Sequence, residues 1–419
     1  MKKPPLSGRE ALEQRQTAMN IERVLIVAGN YPPHIVGGGE IATQIIAEWL
    51  ASNGVTVRVI TCGKTESTRI DNGVTIQSVR SPNIYWRFAE PRRSVFAKAI
   101  WHALDNYNPR TTRLLSEIIT RFQPDIVVTS ILENFGAAAW LAAKRSRVAV
   151  VDIIHSYYLQ CIKGGRFRSG HNCETRCIAC RLATAGKKYL SRHVDGVIGV
   201  SRYVLEAHIS EAYFANARQT FIYNPINRIV EQPRSALRSR VPTFGFLGKL
   251  LPTKGIEQLV KVFSSGRLNY PLLIAGDGDA EFEAKLRVNA DSKLIQFLGW
   301  IDPTKLFDRI DFLIFPSLWN EPFGRGIVEA MGQAIPVIGA KRGGIPELIE
   351  EGRNGYLFDP AVEGELERAV NLACAADYGA LSQAALSTAQ LFSSTSIMKQ
   401  YMDLFDFIVS ERKNREVRE

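Results

Sequence analysis

The chain has 419 residues, 46% of them hydrophobic and 22% charged, and a formal net charge of +10. This length favours two domains of roughly 200 residues over a single core, and the composition is typical of a globular protein. No segment approaches the roughly 20 consecutive apolar residues of a membrane-spanning helix, which argues against an integral membrane protein. Residues 1–20 lack the apolar core of a signal peptide, so we expect a polar tail, a cytoplasmic location and reduced cysteines.

Strand-like and helical segments alternate along both halves of the chain. Buried strands are predicted first at RVLIVAG, VTVRVITC, PDIVVTS, RVAVVDIIH and DGVIGVS. A second series follows the polar stretch near residues 225–241, at TFGFLGK, PLLIAGDG, LIQFLG, DFLIFPS and IPVIGA. Apolar strands that alternate with helices predict an α/β protein with two parallel sheets, each covered by helices on both faces. In such sheets ligands bind at the carboxyl ends of the strands, so we expect a site in the cleft between them.

The predicted boundaries follow from these two series. A tail at residues 1–20 precedes a Rossmann-like domain at 21–226 and a second Rossmann-like domain at 227–396. The last segment, 397–419, has the pattern of an amphipathic helix.

Two features of the first half lie where a strand ends or a helix begins. Gly37, Gly38 and Gly39 precede a predicted helix, and glycines there allow the backbone and the helix N-terminus to approach an anion closely. His155 ends the strand RVAVVDIIH and would face the cleft, where a neutral imidazole can bind a sugar hydroxyl. Each pattern also has a common structural interpretation, a simple turn in one case and a packed histidine in the other.

A stretch at residues 83–101 interleaves aromatic residues with cations. Residues 80–121 carry eight basic and three acidic side chains, and residues 160–192 carry eight basic and one acidic, so the excess positive charge lies in these two regions. The pattern suits an anionic membrane surface. The alternative is a solvated helix pair with a buried aromatic face, whereas no nucleic-acid-binding module is recognisable. The aromatic residues are Tyr85, Trp86, Phe88, Phe96 and Trp101.

Four cysteines are clustered after His155. Cys173, Cys177 and Cys180 follow one another closely, and Cys161 lies upstream of them. In a cytosolic protein this grouping predicts a structural zinc site, although the spacing is only half of the usual motif. The alternative is a set of reduced thiols that pack a loop.

In the second half, Lys249 and Lys254 flank a loop that follows the strand TFGFLGK. Two ammonium groups at the carboxyl end of a parallel strand can neutralise a diphosphate leaving group. One such contact stabilises the transition state by roughly 3 to 4 kcal/mol. Surface lysines after a strand are the alternative.

The segment between Pro316 and Pro360 contains two carboxylates eight residues apart, Glu321 and Glu329. Glu321 lies in a strand-to-helix loop and Glu329 about one turn into the helix, a separation of some 12 Å at about 1.5 Å per residue. The acids can therefore bind two hydroxyl-bearing parts of one long ligand, while the helix start between them offers free N–H groups to an anion. A sugar joined by diphosphate to a ribose has this layout.

The same segment carries a family resemblance. Its EPFG, EAM, G-x-P-V-I, GG-x-P-E and G-x-N-G-x-L elements resemble the donor-site motif of retaining glycosyltransferases of the GT-B fold, family 4. The resemblance covers most of the chain and is strongest at residues 241–360. It implies two Rossmann-like domains facing across a cleft, with the acceptor on the first, the donor on the second, and the last helix packed back on the first.

The resemblance also implies roles for single residues. Glu329 would bind the ribose hydroxyls, and Glu321 and His155 the donor sugar. Lys249 and Lys254 would bind the diphosphate, and His155, Lys254 and Glu321 would form the catalytic set. Two residues depart from the family pattern, since Lys249 stands for an arginine and Arg325 for an aliphatic residue. The remaining residues expected at the donor are Gly38, Phe323, Gly324 and Arg325.

The expected reaction moves a hexose-type sugar from a nucleotide diphosphate sugar to an acceptor hydroxyl, with retention. The leaving phosphate would take the acceptor proton, and no metal or other cofactor would be required. A saccharide or lipid-linked acceptor of bacterial surface polysaccharide or glycolipid synthesis is expected, at the inner face of the membrane. An epimerase or hydrolase of the same fold, or a non-catalytic scaffold that binds nucleotide sugar, remains the alternative.

Overall fold

The structure, a computed structural model, describes residues 21–90, 93–237 and 239–416. The predicted tail at 1–20 and the end of the predicted last helix, 417–419, lie outside these residues. Two large sheets are formed, one of eight strands and one of six. The strands are β1 Arg23–Val27, β2 Thr56–Gly63, β3 Ser67–Asp71, β4 Val74–Arg80, β5 Ile126–Thr129, β6 Ala149–Ile154, β7 Phe167–Arg168, β8 His171–Asn172, β9 Gly196–Gly199, β10 Arg218–Phe221, β11 Phe244–Leu247, β12 Leu272–Ala275, β13 Ile295–Gly299, β14 Phe312–Phe315, β15 Val337–Ala340 and β16 Gly355–Phe358.

Helices follow most of the strands and cover the sheets. They occur where apolar residues recur at helical spacing, and several begin at a side-chain cap such as Asn108, Ser201 or Asp279. The helices are α1 Gly38–Ser52, α2 Val95–Asn106, α3 Pro109–Phe122, α4 Ala138–Arg145, α5 Ile178–Ala183, α6 Ala185–Leu190, α7 Arg202–Ile209, α8 Ile256–Ser264, α9 Ala280–Val288, α10 Pro303–Phe307, α11 Arg325–Gly332, α12 Glu365–Ala375, α13 Tyr378–Gln390 and α14 Ser394–Glu416.

Both large sheets are almost entirely parallel, which confirms the predicted fold class. The first has the order β10-β9-β6-β5-β1-β2-β4-β3, and only β3 is antiparallel to its neighbour. The second has the order β13-β12-β11-β14-β15-β16 with every pair parallel. In each sheet the order reverses beside a central strand, β1 or β11. Loops at such a reversal diverge to opposite faces and leave a crevice, which is where ligands bind in open α/β sheets.

The central strands are buried on both faces, as their continuous Val, Ile, Leu and Phe runs require. In β14 alternate residues join two hydrophobic clusters. Leu313 and Phe315 belong to a cluster that continues into the first half of the chain, and Phe312 and Ile314 belong to a cluster confined to the second half. The two halves therefore share one apolar core beneath the cleft.

The chain crosses between the halves twice, and the two crossings lie side by side. The Ile226 N–H donates to the Phe392 carbonyl at 2.9 Å, and the Ser394 N–H donates to the Ile226 carbonyl at 3.2 Å. After the second crossing α14 packs against α1 and β6. Its Ile408 side chain packs directly over Gly196. An added Cβ at Gly196 would lie 2.2 Å from Ile408 Cδ1, so glycine leaves the room for this contact.

Candidate functional site

The predicted donor residues gather at the carboxyl ends of β11 and β14. The loop after β11 turns at Gly255, whose φ of +70° is in the left-handed region that favours glycine. An added Cβ at Gly255 would lie 1.9 Å from the Pro316 carbonyl oxygen of the β14 loop. This close approach of the two loops brings Lys254 and Glu321 together.

Lys254 and Glu321 form an ion pair, with Lys254 Nζ 2.5 Å from Glu321 Oε1. The same carboxylate oxygen accepts a hydrogen bond from Ser317 Oγ at 2.9 Å. The ammonium group also lies over the Trp319 ring, 5.2 Å from its centre. Because Glu321 is buried and Lys254 is largely so, the pair interacts more strongly than an exposed pair would. Among these residues, Ser317 and Trp319 were not predicted as site residues.

Helix α11 begins at the wall of the same cleft. Gly324, with a φ of +104°, turns the chain into the helix. The N–H groups of the first helical turn have no carbonyl partner within the helix. Arg325 Nε donates to Glu329 Oε1 at 2.7 Å, one helical turn further on. Arg325 Nη1 also donates to the Pro225 carbonyl at 3.2 Å, which lies at the first crossing between the halves. Arg325 therefore holds Glu329 and spans the cleft.

The glycine loop of the first half lies directly opposite. An added Cβ at Gly38 would lie 2.9 Å from Arg325 Cδ, and one at Gly39 would lie 3.2 Å from His155 Cγ. An added Cβ would press against the Arg325 side chain at Gly38 and against the His155 ring at Gly39, so glycine at both positions leaves room for these two side chains. Lys249 is exposed after β11. Burial raises the pKa of Glu40 in α1, and the positive charge of Lys249 opposes part of that shift.

His155 lies at this junction as a neutral imidazole. Burial, and after it the Arg325 guanidinium, lowers the pKa of His155 to about 4. Both of its ring nitrogens are buried and have no hydrogen-bond partner within the described part of the chain, and the same holds for Asn224 Oδ1. Buried polar atoms are normally paired. These atoms therefore leave unused hydrogen-bonding capacity at the junction of the two halves.

Phe323 differs from the other predicted donor residues. Its ring is buried between Tyr223 and Phe392, with ring centres 5.8 and 6.0 Å away. The side chain thus packs the junction of the two halves.

The predicted zinc site is not found. In the described residues, no group of three His, Cys, Asp or Glu side chains could hold a metal ion. The cysteines differ in their surroundings, since Cys161 is buried and Cys177 is exposed, and all four are free thiols. The alternative interpretation, reduced thiols in a packed loop, fits these observations.

Most of the aromatic residues predicted as membrane anchors are core residues. Tyr85, Trp86 and Trp101 are buried, and the Trp86 and Trp101 indoles donate to Asn30 Oδ1 and to the Tyr85 carbonyl. Only Phe88 and Phe96 are exposed. The aromatic residues of this stretch are thus explained mainly by packing. No helix within the described ranges is both long and apolar enough to span a membrane.

Sequence reasoning missed the contacts that close the two halves around the site. Glu347 accepts hydrogen bonds from the N–H groups of Arg202 and Tyr203, at 2.9 and 2.8 Å, at the start of α7. Its segment, GG-x-P-E, is part of the quoted motif, but nothing in the sequence alone pointed to a partner in the other half.

A second set of contacts joins residues 157–172 to the loop before Glu321. Asn172 Nδ2 donates to the Leu318 carbonyl at 2.7 Å, and Trp319 Nε1 donates to the Gly165 carbonyl at 2.5 Å. Tyr157 donates from its hydroxyl to the Asn320 carbonyl at 3.0 Å. These contacts hold the Glu321 loop from the opposite side of the cleft.

Two facing α/β units, with cations, acids and a helix start along the cleft between them, define a GT-B protein. The profile described as "Glycosyl transferases group 1" matches residues 227–384, and that described as "Glycosyl transferase 4-like domain" matches residues 37–225. The chain belongs to this family of group 1 glycosyltransferases.

Individual relatives agree with this assignment. The chain is 30% identical, over 80% of its length and 90% of the relative, to an uncharacterised 42.6 kDa protein in the cps region of Klebsiella pneumoniae. It is 26% identical, over 80% of its length and 76% of the relative, to a GDP-mannose-dependent α-mannosyltransferase of Corynebacterium glutamicum. Among solved structures, Anabaena HepE in complex with UDP is similar in fold, with a TM-score of 0.68 at 18% identity over 92% of this chain and all of that one. A sucrose-phosphate synthase from Thermosynechococcus elongatus has a TM-score of 0.72 at 17% identity, over 93% of this chain and all of the other.

Proposed function

We propose that this glycosyltransferase moves a hexose-type sugar from a nucleotide diphosphate sugar to an acceptor hydroxyl with retention of anomeric configuration. The observation that carries the proposal is the arrangement of Lys254–Glu321 and Arg325–Glu329 on either side of the α11 start. Two acids bind hydroxyls at the ends of the donor, and cations and free N–H groups bind the anion between them. Relatives named for GDP-mannose and structures named for UDP support a nucleotide-linked donor.

Each residue has a proposed part in this reaction. Glu329 binds the ribose hydroxyls, and Glu321 with neutral His155 binds hydroxyls of the transferred sugar. Lys249 and Lys254 bind the diphosphate, assisted by the N–H groups of Gly324 and Arg325 and by the close backbone approach of the Gly38 loop. The remaining donor residue, Phe323, contributes through its backbone.

The chemistry then needs no protein nucleophile. The bond between the anomeric carbon and the diphosphate oxygen breaks, negative charge grows on that oxygen, and Lys254 neutralises it. The acceptor oxygen bonds to the anomeric carbon on the same face, and its proton passes to the departing phosphate. Electrostatic contacts prepared in this way are commonly the largest contribution to catalysis.

We also propose the arrangement of the substrates. The half spanning 21–226 binds the acceptor and the half spanning 227–396 binds the donor. A saccharide or lipid-linked acceptor of surface polysaccharide or glycolipid synthesis is supported by the relative named for a cps region. Such an acceptor suits an enzyme that works at the inner face of the cell membrane.

A donor screen followed by product analysis tests the proposal. UDP-, GDP- and dTDP-sugars are compared for their effect on the melting temperature, and the stabilising donor is then incubated with saccharide and lipid-linked acceptors. We expect a product whose anomeric proton coupling in NMR matches that of the donor sugar. An inverted product would contradict retention. Donor breakdown or epimerisation without acceptor would favour the hydrolase or epimerase, and binding without turnover would favour the scaffold.

A further inference from the structure

We propose that α2, α5 and α6 form a docking surface for an anionic lipid bilayer. The surface is defined by five large apolar side chains that face solvent. Val95 is 85% exposed, Phe96 76%, Ile178 76%, Leu182 74% and Tyr189 58%. Single exposed apolar residues are ordinary on a protein surface, whereas these five lie on three helices that contact one another.

The three helices that carry these residues pack against one another. Helix α2 contacts both α5 and α6. Asn106 at the end of α2 donates from Nδ2 to the Ala183 carbonyl at 2.6 Å and accepts at Oδ1 from the Lys187 N–H at 3.1 Å. Beneath them, buried Lys187 pairs with buried Asp105 at 2.6 Å. The docking surface therefore rests on a fixed platform, and two of its helices belong to the segment after His155.

The exposed charge on these three helices is of one sign. Residues 93–104 and 175–194 contain no Asp or Glu, whereas Lys98, Arg181, Lys188 and Arg192 are exposed there. Apolar side chains surrounded by Lys and Arg suit the boundary layer of an anionic bilayer, because the apolar parts enter the acyl region while the cations meet lipid phosphates.

A cavity of about 580 Å³ adjoins the surface and supplies a place for a lipid head group. Arg181 and Lys188, sequence neighbours of Leu182 and Tyr189, line one side of it. At its base Arg176 and Arg166 pair with Glu211, at 2.6 and 3.4 Å. Glu174 lines the cavity as well, and the four basic and two acidic side chains of the lining give a net charge of +2, which fits a lipid phosphate.

The position of the docking surface links it to the proposed reaction. Between His155 and α5 the chain forms β7 and β8, and Asn172 of β8 binds the loop before Glu321. A bilayer on α5 and α6 would thus lie beside the cleft that receives the acceptor. This inference rests on the proposed function in one respect, which is that docking would bring the cleft to a lipid-linked acceptor. Lipid binding itself requires no turnover.

Vesicle co-sedimentation tests the docking surface. The protein is mixed with vesicles of phosphatidylcholine alone or with added phosphatidylglycerol, at low and high salt. We expect binding to the anionic vesicles only, weakened by salt. The double variant Val95→Ser, Phe96→Ser should reduce the bound fraction roughly tenfold, as should Arg181→Glu, Lys188→Glu. The matched control is Val288→Ser, Trp300→Ser, because these two residues of the second half are equally exposed, 85% and 76%, and it should bind vesicles normally.

Several outcomes would overturn the inference. These are no binding to anionic vesicles, equal binding to neutral ones, an equal loss in the control variant, or wild-type binding by both docking-surface variants. Melting temperature and donor-induced stabilisation are measured on every variant. An intact donor response with lost vesicle binding supports the surface independently of catalysis. If the protein binds vesicles but transfers no sugar, the docking surface stands and only the proposed reaction is contradicted.

Discussion

Lys254 is paired with Glu321, and Arg325 is paired with Glu329, along the cleft. In the proposed donor complex these contacts would be exchanged for contacts with the donor. Under the proposed assignment, the diphosphate would compete with Glu321 for Lys254, while the ribose hydroxyls would compete with Arg325 for Glu329. Because both ion pairs are partly buried, a charge left without a partner would be costly. In this exchange each charged side chain gains a contact with the donor as it loses its partner.

Replacing Lys254 by alanine should lower kcat by about 100- to 1000-fold, because one electrostatic contact to the leaving group is lost where charge develops. The donor dissociation constant should change much less. Steady-state kinetics and donor titration measure the two effects. Lys285→Ala is the control, since this lysine pairs with Glu257 on the surface of the same half, and equal behaviour of both variants would refute the assignment of Lys254.

Glu329→Ala should weaken donor binding by about 10- to 100-fold, the equivalent of one or two charge-assisted hydrogen bonds. Titration calorimetry with the nucleotide alone isolates this effect from the sugar. The control is Glu283→Ala, because Glu283 pairs with Arg287 at the same helical spacing but on an exposed helix. Unchanged nucleotide affinity in the Glu329 variant would place the ribose elsewhere.

At the scale of the elements, the E-x7-E pattern predicted the loop and helix that hold Glu321 and Glu329, since apolar periodicity and glycines determine that geometry locally. The central strands were predictable for the same reason. The strands that were missed are β3, β4, β7, β8, β10 and β16. Of these, β3 has every residue exposed and β10 none that is buried, so no apolar run identifies them. The partners of Asn172, Trp319 and Glu347 lie more than 140 residues away, and no local pattern encodes such distances.

Glu347 joins the second half to the start of α7 in the first, so it should control how tightly the cleft closes. In Glu347→Ala, two backbone N–H groups lose a charged acceptor. We expect kcat/KM to fall about tenfold, with a larger radius of gyration in solution scattering when donor is bound. Glu350→Ala removes a neighbouring exposed pair with Arg353 and should change neither quantity. A compact, fully active Glu347 variant would show that closure does not depend on this contact.

At the scale of the whole molecule, buried histidines link folding to pH. His208 is fully buried between the Tyr157 and Tyr213 rings, and burial lowers its pKa to about 4. The unfolded chain, with a pKa near 6.5, binds a proton first as the pH falls. The contribution of His208 to stability is therefore complete above about pH 6.5 and is lost progressively towards pH 4.

His208→Gln should remove this dependence. Gln can still donate to the Val204 carbonyl that His208 Nδ1 contacts at 2.8 Å. Between pH 7 and pH 5 the wild type should lose roughly 2 kcal/mol more of unfolding free energy than the variant. Urea denaturation at both pH values measures the difference even if the variant is less stable overall. If the wild type and the variant lost equal amounts of unfolding free energy, the pKa of His208 would not be lowered in the folded state.

The paired crossings at Ile226 and Ser394 have a consequence for recombining this enzyme with its relatives. Sequence order suggests a single joint, near residue 226, at which the first half could be exchanged for that of a relative. Yet α14, encoded at the far end, supplies the Ile408 side chain that lies over Gly196. A chimaera with one splice point would combine α14 of one protein with the first-half sheet of another, and the two surfaces would not be complementary. A working exchange requires two splice points, so that the terminal helix always travels with the half it covers.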